Sequence, residues 1–303
     1  MFGLTAGFAI SAGAAAAWLA PSGAGATVML QEGATGLQEG VTGWTCERGP
    51  RGYGDMEVTP EGYVRAPPGE PTRPHQFYLV RAIYSERSRF GGRRSGGAWA
   101  IDYPAADRVM TRVATRLSNL DACPWEKPIS LADPQLRRHP FVYTVEWGRG
   151  ADLTDAEVRG LRDYLRAGGF LMVDDFWGTR EWQVFEEQIR RVLPDREIVE
   201  VPRDHPVFRS YYDIDGDIVQ VPGIRDGRAI TRGWSDARTH QRDGYEAHLR
   251  GIFDDDGRLM VAINWNTDLG DALEWAESPE YPLEYSTFAS RLFLNLIVYA
   301  MAY

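Results

Sequence analysis

Between residues 141 and 178, the pattern of hydrophobic and polar positions predicts a strand, a helix and a second strand. Residues 141–145 form a short apolar and β-branched run, which favours a central strand. Residues 170–173 are apolar without alternation, which is typical of a parallel strand covered on both faces, and Asp174 and Asp175 follow them. A right-handed crossover would make the two strands parallel, so we expect both aspartates at the edge of the sheet where ligands bind.

Sequence signals mark both ends of the helix between these strands. Thr154 and Glu157 have the spacing of a capping box at its beginning. Gly168 stands where a left-handed residue commonly ends a helix. One helical face carries Val158, Leu161, Tyr164 and Leu165.

The alternation of strands and helices continues along the chain. We predict further strands at residues 77–84, 198–201 and 259–264, and further helices at 105–120, 182–192 and 285–303. This order predicts an α/β fold with a mainly parallel sheet flanked by helices. The last helix is interrupted by Ser286, Ser290, Arg291 and Asn295, so we expect it to cover the sheet rather than cross a membrane.

Composition divides the chain into three parts. Residues 1–26 carry no charge and resemble a secretory signal peptide cleaved after Ala26, with an uncleaved anchor helix as the alternative. Residues 27–75 are rich in Gly and Pro and repeat a heptapeptide at 30–36 and 37–43, which predicts a linker. The folded domain is expected at residues 76–303, in the periplasm or outside the cell.

Charge and rare residues narrow the classes of function. The formal net charge of -10 disfavours sequence-independent binding of nucleic acid. Lys127 is the only lysine, so the chain lacks a Walker phosphate-binding motif. Cys46 and Cys123 are the only cysteines, and an exported protein would permit a disulfide between them; two unpaired thiols are the alternative.

Asp174 and Asp175 are the first candidates for chemistry. Because neighbouring strand residues face opposite ways, we expect one of them to face the cleft as a general base or metal ligand. The alternative is that one caps the following helix while the other pairs with an arginine. We expect the pair to flank the principal cleft, with one carboxylate directed at His205 or Arg81.

Polar residues later in the chain supply the other candidates. His205 precedes a proline, which suits an acid/base group, and ordering of its loop is the alternative. No zinc-binding spacing of His and Cys occurs, so we predict neither a metal nor a cofactor. Amides, carboxylates and an aromatic ring follow the strand at 259–264, and they suit either a sugar-binding cleft or a structured loop over the sheet. These residues are Asn264, Asn266, Asp268, Asp271, Glu274 and Trp275.

Five segments together resemble the bacterial family catalogued as domain of unknown function 4159, over about residues 76–303. They are the strand at 78–84 with Arg81 and Tyr84, the Trp99-x-x-Asp102 element, residues 168–175, Asp204-His205-Pro206, and Asn264-x-Asn266-x-Asp268-Leu-Gly-Asp271. That family is similar to the class I glutamine amidotransferase-like fold, a flavodoxin-like three-layer sandwich, and particularly to its ThuA-like branch. The resemblance implies the fold, with Arg81, Tyr84, Trp99 and Asp102 as ligand-binding candidates beside the later polar cluster.

The sequence departs from true amidotransferases at the turn that should carry the catalytic cysteine. Asp174, Asp175 and Phe176 stand there, so glutamine hydrolysis through a thioester is excluded. We favour a non-enzymatic module that binds a polar, carbohydrate-like ligand or a partner protein. The alternative is a hydrolase of carbohydrate or a related polar substrate that uses Asp174 or Asp175 with His205.

Overall fold

A computed structural model describes residues 45–49, 56–60, 64–67, 72–87, 93–95 and 97–303. The predicted signal peptide and the heptapeptide repeat lie outside these residues. The described part contains eleven strands and six α-helices. The strands are β1 (Glu57–Val58), β2 (Val64–Arg65), β3 (Val80–Ile83), β4 (Ser85–Arg87), β5 (Arg93–Ser95), β6 (Lys127–Ser130), β7 (Phe141–Val145), β8 (Phe170–Asp174), β9 (Val199–Glu200), β10 (His248–Phe253) and β11 (Leu259–Trp265). The helices are α1 (Ala105–Ser118), α2 (Asp155–Arg166), α3 (Gly178–Val192), α4 (Ile224–Thr231), α5 (Leu269–Glu274) and α6 (Leu283–Ala302).

One nine-stranded sheet has the order β1-β2-β6-β3-β7-β8-β11-β10-β9. Its five central strands, from β6 to β11 in that order, are parallel. The outer strands on both sides pair antiparallel. The sheet is therefore mixed, and the expectation of a mainly parallel sheet is corrected. The outer strand β9 falls within the predicted strand at 198–201, whereas β1, β2 and β10 were not predicted. β1 and β2 have two residues each within a linker-like composition, and the central strand β6, which contains Pro128, was also not predicted.

The predicted unit of strand, helix and strand is confirmed. β7 and β8 are parallel and in register, with Phe141 opposite Phe170 and Thr144 opposite Val173. The capping box of α2 forms as expected, since the Thr154 side chain accepts from the backbone of Glu157 and the Glu157 side chain accepts in return. The local sequence signals therefore predicted the two central parallel strands, β7 and β8, correctly.

Helices cover both faces of the sheet and make a three-layer arrangement. On one face, apolar side chains of β7, β8 and β11 pack with α1, α5 and α6. On the other face, the alternate side chains of the same strands pack with α2 and α3. The terminal helix α6 therefore covers the sheet as predicted. Within the described ranges, no helix is long and apolar enough to cross a membrane.

A buried ion pair joins β3 to α1. Arg81 and Asp107 are both fully buried, and the guanidinium meets the carboxylate through two bonds, Nε to Oδ1 at 3.1 Å and Nη2 to Oδ2 at 2.5 Å. The remaining Nη1 group donates to the backbone oxygens of Trp99 and Ile101 at 3.5 and 3.3 Å. Arg81 thus fixes both α1 and the segment that precedes it.

Cys46 and Cys123 form a disulfide, with their Cα atoms 5.5 Å apart. The backbone N–H of Cys46 also donates to Thr72 Oγ1 at 2.8 Å. The bridge attaches a part of the predicted linker to the segment between α1 and β6. Of the two alternatives for the cysteines, the structure therefore shows the bonded one.

Replacing both cysteines with serine should lower the free energy of unfolding. The bridge spans 77 residues of chain, and closing a loop of that length in the unfolded state accounts for about 4 kcal/mol. Urea denaturation of the oxidised protein and of the variant measures the difference. Adding a reductant should bring the wild-type protein to the midpoint of the variant, and equal midpoints without reductant would contradict the prediction.

Replacing Asp107 with Asn should destabilise the fold by about 3–5 kcal/mol, because it leaves the Arg81 charge buried without its partner. Asp255→Asn is the matched control, since Asp255 makes a similar two-bond pair with Arg196 at the surface. There, solvent takes over the lost interaction, so the midpoint of urea denaturation should change little. Equal effects of the two substitutions would show that the buried pair does not hold α1 to β3.

Candidate functional site

Carboxyl groups from three separate segments meet beyond the carboxyl ends of the central strands. One carboxyl oxygen from each of Asp102, Asp175 and Asp268 lies within 4.8 Å of the other two. In a second set, one carboxyl oxygen from each of Asp102, Asp271 and Glu274 also lies within 4.8 Å of the other two. We call these five residues the acidic cluster. In α/β proteins, ligands commonly bind beyond the carboxyl ends of the strands, where these residues lie.

Sharp turns in the backbone place the site residues. Glu146, Asp175 and Asn266 directly follow the neighbouring strands β7, β8 and β11, and all three have left-handed φ angles of 62°, 52° and 62°. Asp102 has a φ of 60° in the segment held by Arg81. Residues other than glycine are uncommon in this region, and such backbone strain concentrates at functional sites.

Asp174 and Asp175 face different surroundings, as expected for neighbouring residues. Asp174 is fully buried, and its Oδ2 accepts hydrogen bonds from Tyr143 Oη at 3.1 Å and from the backbone N–H of Gly270 at 3.0 Å. It therefore holds the beginning of α5. Asp175 accepts from Trp177 Nε1 at 2.9 Å and belongs to the acidic cluster. The residue expected to face a ligand is thus Asp175.

The expected contact between an aspartate and Arg81 is indirect. The Arg81 guanidinium lies over the ring of Tyr143, 4.3 Å from its centroid, and the hydroxyl of Tyr143 bonds to Asp174. Asp174 Oδ2 therefore accepts from a phenol and a backbone N–H instead of from a cation. Burial, followed by the charge of Asp175, raises the pKa of Asp174 to about 7.

Asp268 and Asp271 combine a structural role with their place in the cluster. Asp268 Oδ1 accepts from the backbone N–H of Asp271 at 2.8 Å and caps α5. Asp271 Oδ2 accepts from the backbone N–H of Ile224 at 2.7 Å, at the beginning of α4. Asp268 thus fixes the beginning of α5, and Asp271 fixes the beginning of α4.

The cluster concentrates like charge in a buried place. Burial and the carboxylates of Asp271 and Asp175 raise the pKa of Asp102 well above its usual range. Burial and its cluster neighbours act in the same way on Asp268. Although Asp102 as a residue is only half-buried, its Oδ2 atom is buried and accepts no hydrogen bond from a described residue. Charge of this kind is costly to bury unless a proton or a cation meets it.

Glu146 adjoins the cluster and was missed by the sequence analysis. It is buried, and burial followed by the charge of Asp175 raises its pKa to about 10. Arg149, three residues later, forms an ion pair with it at the turn. Its position directly after β7 matches that of Asp175 after β8, and this strand-end position is the signal that could have identified it.

His205 lies at the other end of the parallel strands, near their amino ends. Its ring contacts Tyr299 and Phe253, with ring centroids 5.2 and 5.5 Å away. Tyr299 also contacts Phe170, the first residue of β8, whereas Asp174 is the last residue of that strand, about 13 Å away, and Asp175 follows it. The structure therefore does not bring His205 to Asp174 or Asp175. Its Nδ1 accepts from the backbone N–H of Val207, which agrees with the loop-ordering alternative.

The remaining candidates are mostly committed to the fold. Tyr84 is buried and donates to the backbone oxygen of Val145 at 2.8 Å, and Trp99 is buried in the core. Asn266 accepts from the backbone N–H of Gly178 and donates to the backbone oxygen of Glu246, so it closes a loop as the alternative proposed. Asn264 is fully buried, and its Oδ1 accepts no hydrogen bond from a described residue.

Three grooves formed by described residues lie away from the acidic cluster. One groove lies at the amino ends of the central strands and includes Arg166 and Arg258. A second lies beside β10 and includes Glu246, and a third lies along α6 and includes Arg291. None of the three includes Asp174 or Asp175, so the expectation that these residues flank the principal cleft stays a prediction.

Comparison with known proteins agrees with the resemblance seen in the sequence. The family model described as Domain of unknown function (DUF4159) matches residues 86–301. A search of curated proteins found no match. The matched region contains every residue of the acidic cluster and most of the three-layer fold. The chain therefore belongs to the family described as Domain of unknown function (DUF4159).

Proposed function

We propose that this protein is a non-enzymatic module that binds a polar, carbohydrate-like ligand at the acidic cluster. The observation that carries the proposal is the convergence of Asp102, Asp175 and Asp268 from three segments at the carboxyl edge of the parallel strands. Carboxylate oxygens accept hydrogen bonds from ligand hydroxyls, often in pairs. A partner protein with exposed hydroxyl or amide groups would use the same acceptors.

The energetic cost of the cluster supports a functional role. The charges of Asp271 and Asp175 raise the pKa of Asp102, and those of Asp175, Asp271 and Asp102 raise the pKa of Asp268, in both cases in addition to burial. Two of the cluster residues, Asp102 and Asp175, also occupy strained backbone. A fold selected for stability alone would replace such groups with apolar ones, so their retention favours binding.

The hydrolase alternative requires His205 to act together with Asp174 or Asp175. His205 lies near the amino ends of the parallel strands, so it cannot form that acid/base pair. Kinship with the class I amidotransferase-like fold, supported by the parallel centre of the sheet, would not restore that chemistry. Both cysteines of the chain are in the disulfide, and neither follows a central strand. Binding without turnover is therefore the simpler function for this geometry.

Export to the periplasm or the cell exterior is part of the proposal. The disulfide between Cys46 and Cys123 supports it, because such bonds persist in oxidising compartments. The uncharged residues 1–26 and the small residues before position 27 support it as well.

The mature protein should lack residues 1–26. Intact-mass analysis of the protein isolated from its native cell should give a chain that begins at Thr27. Treatment with a reductant should add the mass of two hydrogens, which reports the disulfide in the same experiment. A protein that retains Met1 would contradict the proposed cleavage.

Replacing Asp175 with Asn should weaken ligand binding by about tenfold or more, because it removes a charged acceptor while keeping the shape of the side chain. Ligands are first identified on a glycan array, and affinity is then measured by titration calorimetry. The melting temperature should stay the same or rise, since the substitution also relieves repulsion within the cluster.

Asp256→Asn is the matched control for this experiment. Asp256 lies exposed in the turn before β11, at the amino end of that strand, so its replacement should leave affinity unchanged. Absence of any retained glycan, or equal affinity of the Asp175→Asn variant and the wild-type protein, would contradict the proposed function.

A further inference from the structure

We propose that the acidic cluster binds a divalent cation of the Ca²⁺ or Mg²⁺ class through Asp102, Asp175 and Asp268. The inference rests on the proposed function in one respect: it gives the same ligand site a metal ion that holds the ligand's hydroxyls. It corrects the prediction that the chain binds no metal, because that prediction followed from the absence of zinc-binding His and Cys spacings, whereas this site consists of carboxylates.

The spacing of the three carboxylates suits one ion. Their nearest oxygens all lie within 4.8 Å of one another. Three oxygens that are at most 4.8 Å apart lie within about 2.8 Å of a common point, and Ca²⁺ binds oxygen at about 2.3–2.6 Å. One ion can therefore contact all three carboxylates after small adjustments of their side chains.

The cations that act on the cluster are already committed elsewhere. Arg81 lowers the pKa of Asp102, but its Nε and Nη2 groups bond to Asp107. Arg149, which acts on Asp175, forms an ion pair with Glu146.

Arg228 acts on Asp271 in the same way, and it forms an ion pair with Glu280 at 3.0 Å. Each of these three arginines thus has a carboxylate partner outside the cluster. A metal ion would supply the missing positive charge at the centre of the cluster.

Asp174 gives a second observation that is independent of the cluster spacing. Its side chain is fully buried, and Oδ1 accepts no hydrogen bond from a described residue. Its Oδ2 bonds to Tyr143 Oη and to the backbone of Gly270.

Asp102 Oδ2 also lies close to Gly270. A Cβ atom added to Gly270 would be 2.3 Å from Asp102 Oδ2 and 3.0 Å from Tyr143 Oη. The carboxyl groups of Asp174 and Asp102 thus both lie beside Gly270, and each has one buried oxygen, Oδ1 of Asp174 and Oδ2 of Asp102, without a donor among the described residues. A cation bound at the cluster would supply positive charge beside these two carboxyl groups.

The ligand atoms determine the class of metal. The cluster contains carboxylates and no His or Cys, which favours hard cations over zinc or copper. Three protein oxygens leave about three to five of the six to eight positions around Ca²⁺ for water or for hydroxyl groups. The ion would therefore add direct coordination of a polyhydroxylated ligand to the hydrogen bonds of the carboxylates.

Metal binding is tested on the whole protein after treatment with EDTA. Addition of CaCl₂ or MgCl₂ should raise the melting temperature in a concentration-dependent manner. Terbium provides a direct probe: the Trp177 indole bonds to Asp175, so Tb³⁺ bound at the cluster should show tryptophan-sensitised luminescence that Ca²⁺ displaces.

Asp102→Asn should weaken Tb³⁺ and Ca²⁺ binding at least tenfold. Asn tolerates the left-handed backbone at this position, and circular dichroism verifies that the variant is folded. Asp175→Asn is a second ligand variant, and Asp256→Asn is the control that should bind as the wild-type protein does. No thermal shift at millimolar Ca²⁺ and Mg²⁺, or unchanged Tb³⁺ binding in both ligand variants, overturns the proposal.

Glycan binding in the presence of Ca²⁺ and of EDTA separates this inference from the proposed function. Ca²⁺ binding without any glycan binding supports the metal site and contradicts the proposed function. Glycan binding of equal strength in EDTA and in Ca²⁺, with no bound Tb³⁺, supports the function and overturns the metal site. Loss of glycan binding in EDTA with recovery in Ca²⁺ supports both.

Discussion

The buried ion pair between Arg81 and Asp107 is the constraint on which the site depends. It commits a fully buried cation near the carboxyl edge of the sheet to a structural partner on α1. The same guanidinium holds the backbone before Asp102, so one interaction both positions that aspartate and leaves it without a dedicated counter-ion. The excess of negative charge in the acidic cluster follows directly from this arrangement.

The two aspartates at the end of β8 have different surroundings. Asp174 faces the helices and holds α5 through Gly270, whereas Asp175 turns through a left-handed conformation into the cluster. Because Asp268 caps the beginning of α5, Asp174 helps to position a residue that lies beside Asp175 in the cluster. Substitutions at the two positions therefore report on different properties, although the residues are adjacent in sequence.

Strong local signals allowed the centre of the fold to be predicted. The apolar runs of β7 and β8, the capping box at Thr154 and the aspartates at the end of β8 all appear where the sequence placed them. The outer strands β1 and β2 had weak signals because they have two residues each within a linker-like composition. The position of His205 could not be predicted because it depends on contacts distant in the chain, such as the packing against Tyr299 near the amino ends of the strands.

The central claim is that the charge of the acidic cluster is balanced by a bound metal ion. A crystal structure of the protein grown with Mn²⁺, recorded at a wavelength where manganese scatters anomalously, tests this claim most directly. The account predicts an anomalous difference peak within about 2.1–2.6 Å of oxygens from Asp102, Asp175 and Asp268. Carboxyl groups that bond only to water or to one another, with no anomalous peak between them, would contradict it.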